Sequence, residues 1–244
     1  MRHSTEDPLF AGVGPICEAV MQQTDADGVA LAVLSRSRRA RELVYATDPL
    51  AKQLDELQYI VGEGPCFDAY LYDAPQCYPE LTDVVETSRW PVFATGATEL
   101  GAQALFAIPV PDGRRPMGVL QLYRRAAGGL VESQFATACA SASAIADQLQ
   151  SNWQEHRARF GSAEQAIDAA ASSNASQEPI DPFTRTQVHV AAGMVAIQLG
   201  ISAEEGVDRL RAHAYANARP LSSVAADIIA RRMTLSDQDD VSSE

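Results

Sequence analysis

The stretch HVAAGMVAIQLGISAEEGVDRLRAHAYANARP, His189 to Pro220, sets the problem of this chain. No residue from Val190 to Ile197 is polar, yet a surface helix normally carries one apolar stripe and one wet face. The run is far short of the roughly twenty apolar residues that cross a bilayer. A helix that is apolar on all sides needs several partners. Two lie next to it in sequence. Gly200 suits the C-terminal cap of a first helix over Thr186–Leu199, and Ser202 with Glu205 forms the S-x-x-E box that opens a second. Pro220 suits the first turn of a third.

The second helix is expected to bury Val207, Leu210 and Ala214, and the third Leu221, Val224 and Ile228. Glu205, Arg209 and His213 follow one another at four-residue spacing on another face. Three such helices make a small core, and two partners cover only part of the first helix. Its apolar surplus predicts self-association through Val188, Ala191, Ala192, Met194 and Val195, where small side chains also let a second backbone approach. Gly206 stands inside the second helix, where glycine costs about 1 kcal/mol relative to alanine. Gly206→Ala is therefore expected to stabilise.

Upstream, the composition shifts. The formal net charge is −13, but it is unevenly spread. Met1 to Ile180 carries thirteen Arg/Lys against twenty-three Asp/Glu, and Phe183 to Met233 carries six Arg against four acids. A mildly basic unit thus follows an acidic body, and Lys52 is the only lysine. Between them, Ser151–Pro182 begins as a polar helical stalk and becomes an Ala/Ser/Asn run ending in prolines, the composition of a linker. The tail from Ser236 to Glu244 is acidic and reads as disordered. The expected organisation is 9–150, a sensor-sized domain; 151–182, stalk and linker; 183–235, a helical unit; 236–244, the tail.

In the first region, Leu9–Gln23 has helical spacing. GVALAVLS (Gly28–Ser35) and RELVYAT (Arg41–Thr47) read as a hairpin across a basic turn. A helix and a Pro65-initiated helical turn follow, then an edge strand in PQCYPELTD and a helix over Arg89–Leu100. ALFAIPV and MGVLQLY form a second hairpin around Asp112-Gly113. Val131–Gln150 closes with a long amphipathic helix, with Phe135, Cys139, Ala142, Ile145 and Leu149 on its buried face. This order predicts an α+β domain: an antiparallel sheet with helices segregated to one side.

Specific residues sharpen both regions. GEGPC (Gly62–Cys66), RWPVF (Arg89–Phe93), ALFAIPV (Ala104–Val110) and MGVLQLY (Met117–Tyr123) resemble, in order and spacing, the GAF domains of actinobacterial two-domain regulators. VAAGMVAIQLGISAEEGVDRLRAHAYANARPLSSVAADII closely resembles the ANTAR domain, a small all-α three-helix RNA-binding module of transcription antiterminators. The matching residues include Ala191, Gly193, Leu199-Gly200, the Ser202–Glu205 box, Leu210, Ala214, Asn217, Arg219, Leu221, Val224, Ala225 and Ile228. Ala192 departs from the lysine of many members and Gly206 from the usual alanine.

The double resemblance implies a GAF-like sensor coupled to an ANTAR output that dimerises on paired RNA hairpins and prevents terminator formation. RNA loops are read by stacking and by phosphate contacts, and Arg209, Arg211, His213, Tyr215 and Arg219 supply cations and a ring. Arg231 and Arg232 suit phosphates. The implied partners are RNA, an unknown small ligand or protein signal, and a second copy of the chain.

Cys66, in the first turn of a helix, is a candidate ligand or redox handle, but GEGPC reads first as a shaped turn, in which Gly62 and Gly64 supply backbone freedom and Pro65 starts a helix. No P-loop, nucleophile elbow or HExxH stands in the chain, so no enzymatic activity is expected. The four scattered cysteines and four histidines lack metal-ligand spacing, so neither a metal nor a cofactor is expected. With no apolar leader or spanning run, a cytoplasmic location with reduced thiols is expected. Two other readings stay open: a non-enzymatic protein-interaction or dimerisation module, and a DNA-binding regulator.

Overall fold

The computed structural model describes residues 8–34, 41–113, 115–159, 185–217, 219 and 221–235. The basic turn at 36–40, Pro220, the linker expected from 160 onward and the tail from 236 lie outside the described residues. The chain divides into two compact units, Met1–Ser176 and Gln177–Glu244.

In the first unit, a 3-10 turn at Pro8–Phe10 leads into α1 (Val13–Gln23), β1 (Gly28–Leu34) and β2 (Arg41–Ala46). Next come α2 (Pro49–Val61), α3 (Pro65–Tyr72), β3 (Gln76–Tyr78), α4 (Val84–Thr87) and α5 (Pro91–Glu99). The central hairpin β4 (Ala104–Val110) and β5 (Gly118–Arg124) precedes α6 (Glu132–Ala158). Among the described residues the strands make one sheet in the order β2-β1-β5-β4-β3, with every neighbouring pair antiparallel. Both expected hairpins form, and β3 is the expected edge strand.

The expectation that helices segregate to one side is corrected. Val13, Cys17 and Val20 of α1 and Ala138, Ala142 and Ile145 of α6 pack with Phe106, Ile108, Leu120 and Leu122 on one face of the sheet. Leu50 and Leu54 of α2, Cys66 and Ala69 of α3, and Phe93 and Ala97 of α5 pack with Leu105, Ala107, Val119 and Tyr123 on the other. The physical reason is visible in the strands. ALFAIPV and GVLQLY have no polar alternation, the pattern of a strand buried on both faces. On α6 the buried stripe is Ala138, Ala142, Ile145 and Ala146, while Phe135 is 36% exposed. Phe135 is therefore not the core residue expected.

The second unit comprises α7 (Arg185–Leu199), α8 (Ala203–Ala216) and α9 (Leu221–Ile229). The capping box forms: Ser202 N–H donates to Glu205 Oε2 at 2.7 Å and Glu205 N–H donates to Ser202 Oγ at 3.2 Å. These bonds hold the Glu205 carboxyl below its usual range. Helix α7 packs on both α8 and α9, and the chain beyond α9 returns to it, with Gln198 Nε2 donating to Leu235 O at 2.6 Å.

Most of the apolar surplus is therefore used inside the unit. Val188, Ala191, Ala192 and Val195 are all buried there, so these four are not the exposed contact surface expected of them. Val190, 48% exposed, and Ile197, 87% exposed, are the apolar residues that face outward.

Gly206 is corrected as well. A Cβ at this position would stand 2.5 Å from the carbonyl oxygen of Ala192, so two helix backbones meet where a side chain cannot fit. Gly206→Ala is expected to destabilise the second unit by about 1–3 kcal/mol, the cost of overpacking. Thermal melts of the two proteins, followed by helical circular dichroism, check it; a higher melting temperature for the variant would refute the close approach.

Candidate functional site

Two of the sequence motifs meet around the turn GEGPC. Gly62 ends α2 at φ 75° and Gly64 opens α3 at φ 134°, backbone conformations that favour glycine. Pro65 then starts α3. Between the glycines, the Glu63 carboxylate accepts from the N–H groups of Val92 (2.9 Å) and Phe93 (3.1 Å). It caps the positive end of α5. Asp68, one turn into α3, accepts from the Trp90 ring N–H at 2.9 Å and pairs with Arg89. GEGPCFD and RWPVF are thus one structure, with Glu63 and Asp68 as its polar links.

Behind that turn lies a buried polar cluster. Cys66 N–H donates to Gln58 Oε1 at 2.8 Å. Gln58 Nε2 donates to Gln121 Oε1 at 2.5 Å and stands 3.3 Å from Cys66 Sγ. The Cys66 thiol lies 3.2 Å from the same Gln121 oxygen. Gln58 and Gln121 are no more than 1% exposed, and Cys66 is 2% exposed. A backbone N–H can only donate, so it fixes which end of each amide is which. Gln58 must present its oxygen to Cys66 and its nitrogen to Gln121. Gln121 must then present its oxygen, which leaves Gln121 Nε2 without a partner among the described residues.

The surroundings are apolar and aromatic: Tyr70, Tyr78, Trp90, Phe93 and Tyr123 belong to the same layer. The Tyr123 hydroxyl donates to Asp48 Oδ1 at 3.0 Å, and burial, reinforced by that carboxylate, raises its pKa to about 12. Cys66 is part of this interior and not an accessible thiol, which corrects its reading as a reactive handle. Gln58 and Gln121 are not among the residues that sequence reasoning picks out, although a glutamine inside the apolar run GVLQLY is a signal.

In the second unit the expected cations occupy one helix, the turn after it and the chain that follows α9. Arg209, Arg211 and His213 stand on α8, and Arg211 pairs with Asp208 at 3.2 Å. The side chain of Tyr215 lies outside the described residues. Arg219 Nη2 donates to Ser223 Oγ at 2.8 Å and to Asp227 Oδ2, while Arg232 Nε donates to Asp227 Oδ1 at 2.9 Å. One carboxylate of α9 therefore gathers two of the expected arginines. Arg231 is exposed beside them, at φ 56°.

Arg219 first and Arg232 second hold the Asp227 carboxyl below its usual range. A carboxyl depressed in the folded state stabilises above its unfolded pKa, and that stabilisation is lost as pH falls through the folded one. Wild type is thus expected to melt higher than Asp227→Asn near neutral pH. The two melting temperatures should converge as pH drops below the ordinary carboxylate range. A gap that persists unchanged down to about pH 2, below the usual carboxylate pKa, would refute the clamp.

The buried amides give a second test. Gln58→Met removes the oxygen that accepts from the Cys66 N–H and the amide that donates to Gln121, whose oxygen keeps only the Cys66 thiol at 3.2 Å. It should lower stability by about 1–3 kcal/mol, the cost of orphaned buried polar groups, measured by urea unfolding of the full chain.

No protein-family model and no curated protein matches this sequence. Solved structures similar to it cover its first unit. A domain of a two-component sensor histidine kinase protein from Sinorhizobium meliloti is 15% identical, covering 60% of this chain and 94% of that one, with a TM-score of 0.49. The GAF domain of a phosphoenolpyruvate-protein phosphotransferase from Coxiella burnetii is 16% identical over 60% and 85%, with a TM-score of 0.48. Free methionine-R-sulfoxide reductase from Neisseria meningitidis is 11% identical over 62% and 84%, with a TM-score of 0.46. Among the described residues no helix is long and apolar enough to cross a membrane. Over about 60% of its length the chain is similar to GAF domains.

Proposed function

We propose that this chain is a signal-responsive, RNA-binding regulator of transcription antitermination. Its first unit is a GAF-type sensor, and its second is an ANTAR-type module that acts as a homodimer on paired RNA hairpins. The observation that carries this reading is the convergence of Arg219 and Arg232 on the single carboxylate of Asp227, with Arg231 exposed alongside. Two guanidiniums sharing one carboxylate leave a net positive charge at a point where both forks are already oriented. Arginine forks match phosphate oxygens in the same bidentate geometry. Arg209, Arg211 and His213 extend the cationic surface along α8.

On the sensing side, Gln121 Nε2 is a buried donor in an aromatic layer, the group that an acceptor oxygen of a small ligand would meet. Self-association shifts from the residues first expected to the outward face of α7, where Val190 and Ile197 are exposed and Met194 is half-buried. The chain acts in this reading without enzymatic chemistry, in the cytoplasm.

Binding of a two-hairpin RNA leader, followed across several salt concentrations, tests it. Arg211→Ala with Arg219→Ala should remove most binding and flatten the salt dependence by about one unit for each phosphate no longer neutralised. Unchanged affinity and salt slope in the double variant would sink the RNA surface and favour the protein-interaction reading. Equal binding to duplex DNA would favour a DNA-binding regulator.

A further inference from the structure

Cys77 and Cys139 belong neither to the buried amide cluster around Cys66 nor to the arginine cluster around Asp227. Strand register decides where Cys77 points. It stands opposite Phe106 in the β3–β4 pairing, and directly opposed residues share a face of a sheet. Cys77 is therefore on the face that Phe106 and Ile108 present to α1 and α6. Helix α6 lies over β4. One flank is taken up by the N-terminal segment: Asn152 Nδ2 donates to the carbonyls of Leu9 (3.0 Å) and Ala11 (2.9 Å). At 100° per residue, Phe135 and Cys139 fall on the opposite flank, toward β3.

Three contacts fix the start of α6 beside that strand. Gly128 N–H donates to Pro79 O at 2.8 Å, one residue beyond β3. The Arg124 guanidinium lies over the Phe106 ring at 5.7 Å, and its Nη2 donates to Gln134 Oε1 at 3.1 Å. Cys139 packs against the cluster that holds Phe106. Cys77 thus stands beside Phe106 on the strand, and Cys139 comes from the helix onto the cluster that contains that ring. Cys77 is exposed and Cys139 half-buried, whereas Cys17 and Cys66 are buried.

We infer that Cys77 and Cys139 form a reversible disulfide that ties the edge strand β3 to α6. A low-molecular-weight disulfide is the oxidant. The Cys77 thiolate attacks one sulfur of that reagent, its S–S bond breaks, and one thiolate leaves. The Cys139 thiolate then attacks Cys77 Sγ and expels the second. Two protein thiols are oxidised to one disulfide, one disulfide is reduced to two thiols, and the two protons pass to the leaving thiolates.

Burial raises both thiol pKa values, and the neighbouring Cys139 raises that of Cys77 further. Neither thiol is activated at neutral pH. The pair therefore answers to a sustained oxidising poise, and its rate climbs with pH. The link would constrain α6, which ends at Ala158.

The full chain, incubated with oxidised glutathione and digested under acid, tests the pairing. Two of its four cysteines should disappear from a thiol titration. Mass spectrometry should then find a Cys77–Cys139 peptide that dithiothreitol cleaves. Formation should accelerate about tenfold per pH unit below the thiol pKa. Cys77→Ser and Cys139→Ser should each abolish the internal link while keeping the circular dichroism of wild type, with Cys77 in the second variant held as a glutathione mixed disulfide. Stable glutathione adducts on both cysteines of the wild type, or a link only between two chains, would overturn the proposal.

Discussion

A sheet covered by helices on both faces gives a polar side chain no water, and the interior of the first unit is organised by that constraint. Gln121 lies on a central strand with its amide inside the layer between sheet and helices. Its oxygen is satisfied by Gln58, whose own oxygen is satisfied by the backbone of Cys66. The polarity runs one way, from the N-terminus of α3, through α2, to β5. Turn geometry at Gly62 and Gly64 therefore determines which atom of a distant strand is left as a donor. A ligand that engaged Gln121 would act on the same hydrogen-bond relay that holds α2 and α3 on the sheet, so binding and helix position are physically linked.

The elements of both units are legible in the sequence because their signals are local. A capping box, a Pro at the first turn and a turn-forming pair act within a few residues, and they are enough to locate helices and hairpins. Layer assignment is not legible for the opposite reason. ALFAIPV is apolar at every position, so it carries no record of which face each helix covers, and only the register separates Phe106 from Leu105. The same limit hides the site. Gln58 and Gln121 are far apart in sequence, and a lone glutamine in an apolar run says that a partner exists without saying which. Cys66 stands out for its place in a first turn; its burial depends on elements elsewhere in the chain.

Helix α7 shows how a correct pattern leads to a wrong surface. Its lack of a polar face is real, but the surplus does not require a second copy to cover it. What the pattern cannot show is that Gly206 lets α8 approach the backbone of Ala192. Small residues at both positions draw the helices together and cover Ala191, Ala192 and Val195 from inside the unit. Any Cβ at 206 belongs to a different helix spacing, because it would meet the Ala192 backbone at 2.5 Å. The apolar residues left outward, Val190 and Ile197, are separated by two turns and share one flank of the helix.

In the proposed RNA-binding reading the arginines carry a similar double role. Arg219 binds Ser223 and Asp227 of α9 and reaches the Met233 sulfur at 3.9 Å. It joins the turn before α9 to the chain after it. An alanine there removes a cation and a structural tie together, so loss of binding alone does not distinguish contact from collapse. Arg211 pairs with Asp208 one turn away on its own helix. Lysine at 219 separates the two contributions: it keeps the charge that attracts phosphate but not the planar fork that holds two oxygens and a hydroxyl at once. If Arg219 serves mainly as a tie, lysine should resemble alanine in melting and wild type in salt slope, because the fork is what the tie requires and charge is what counterion release counts.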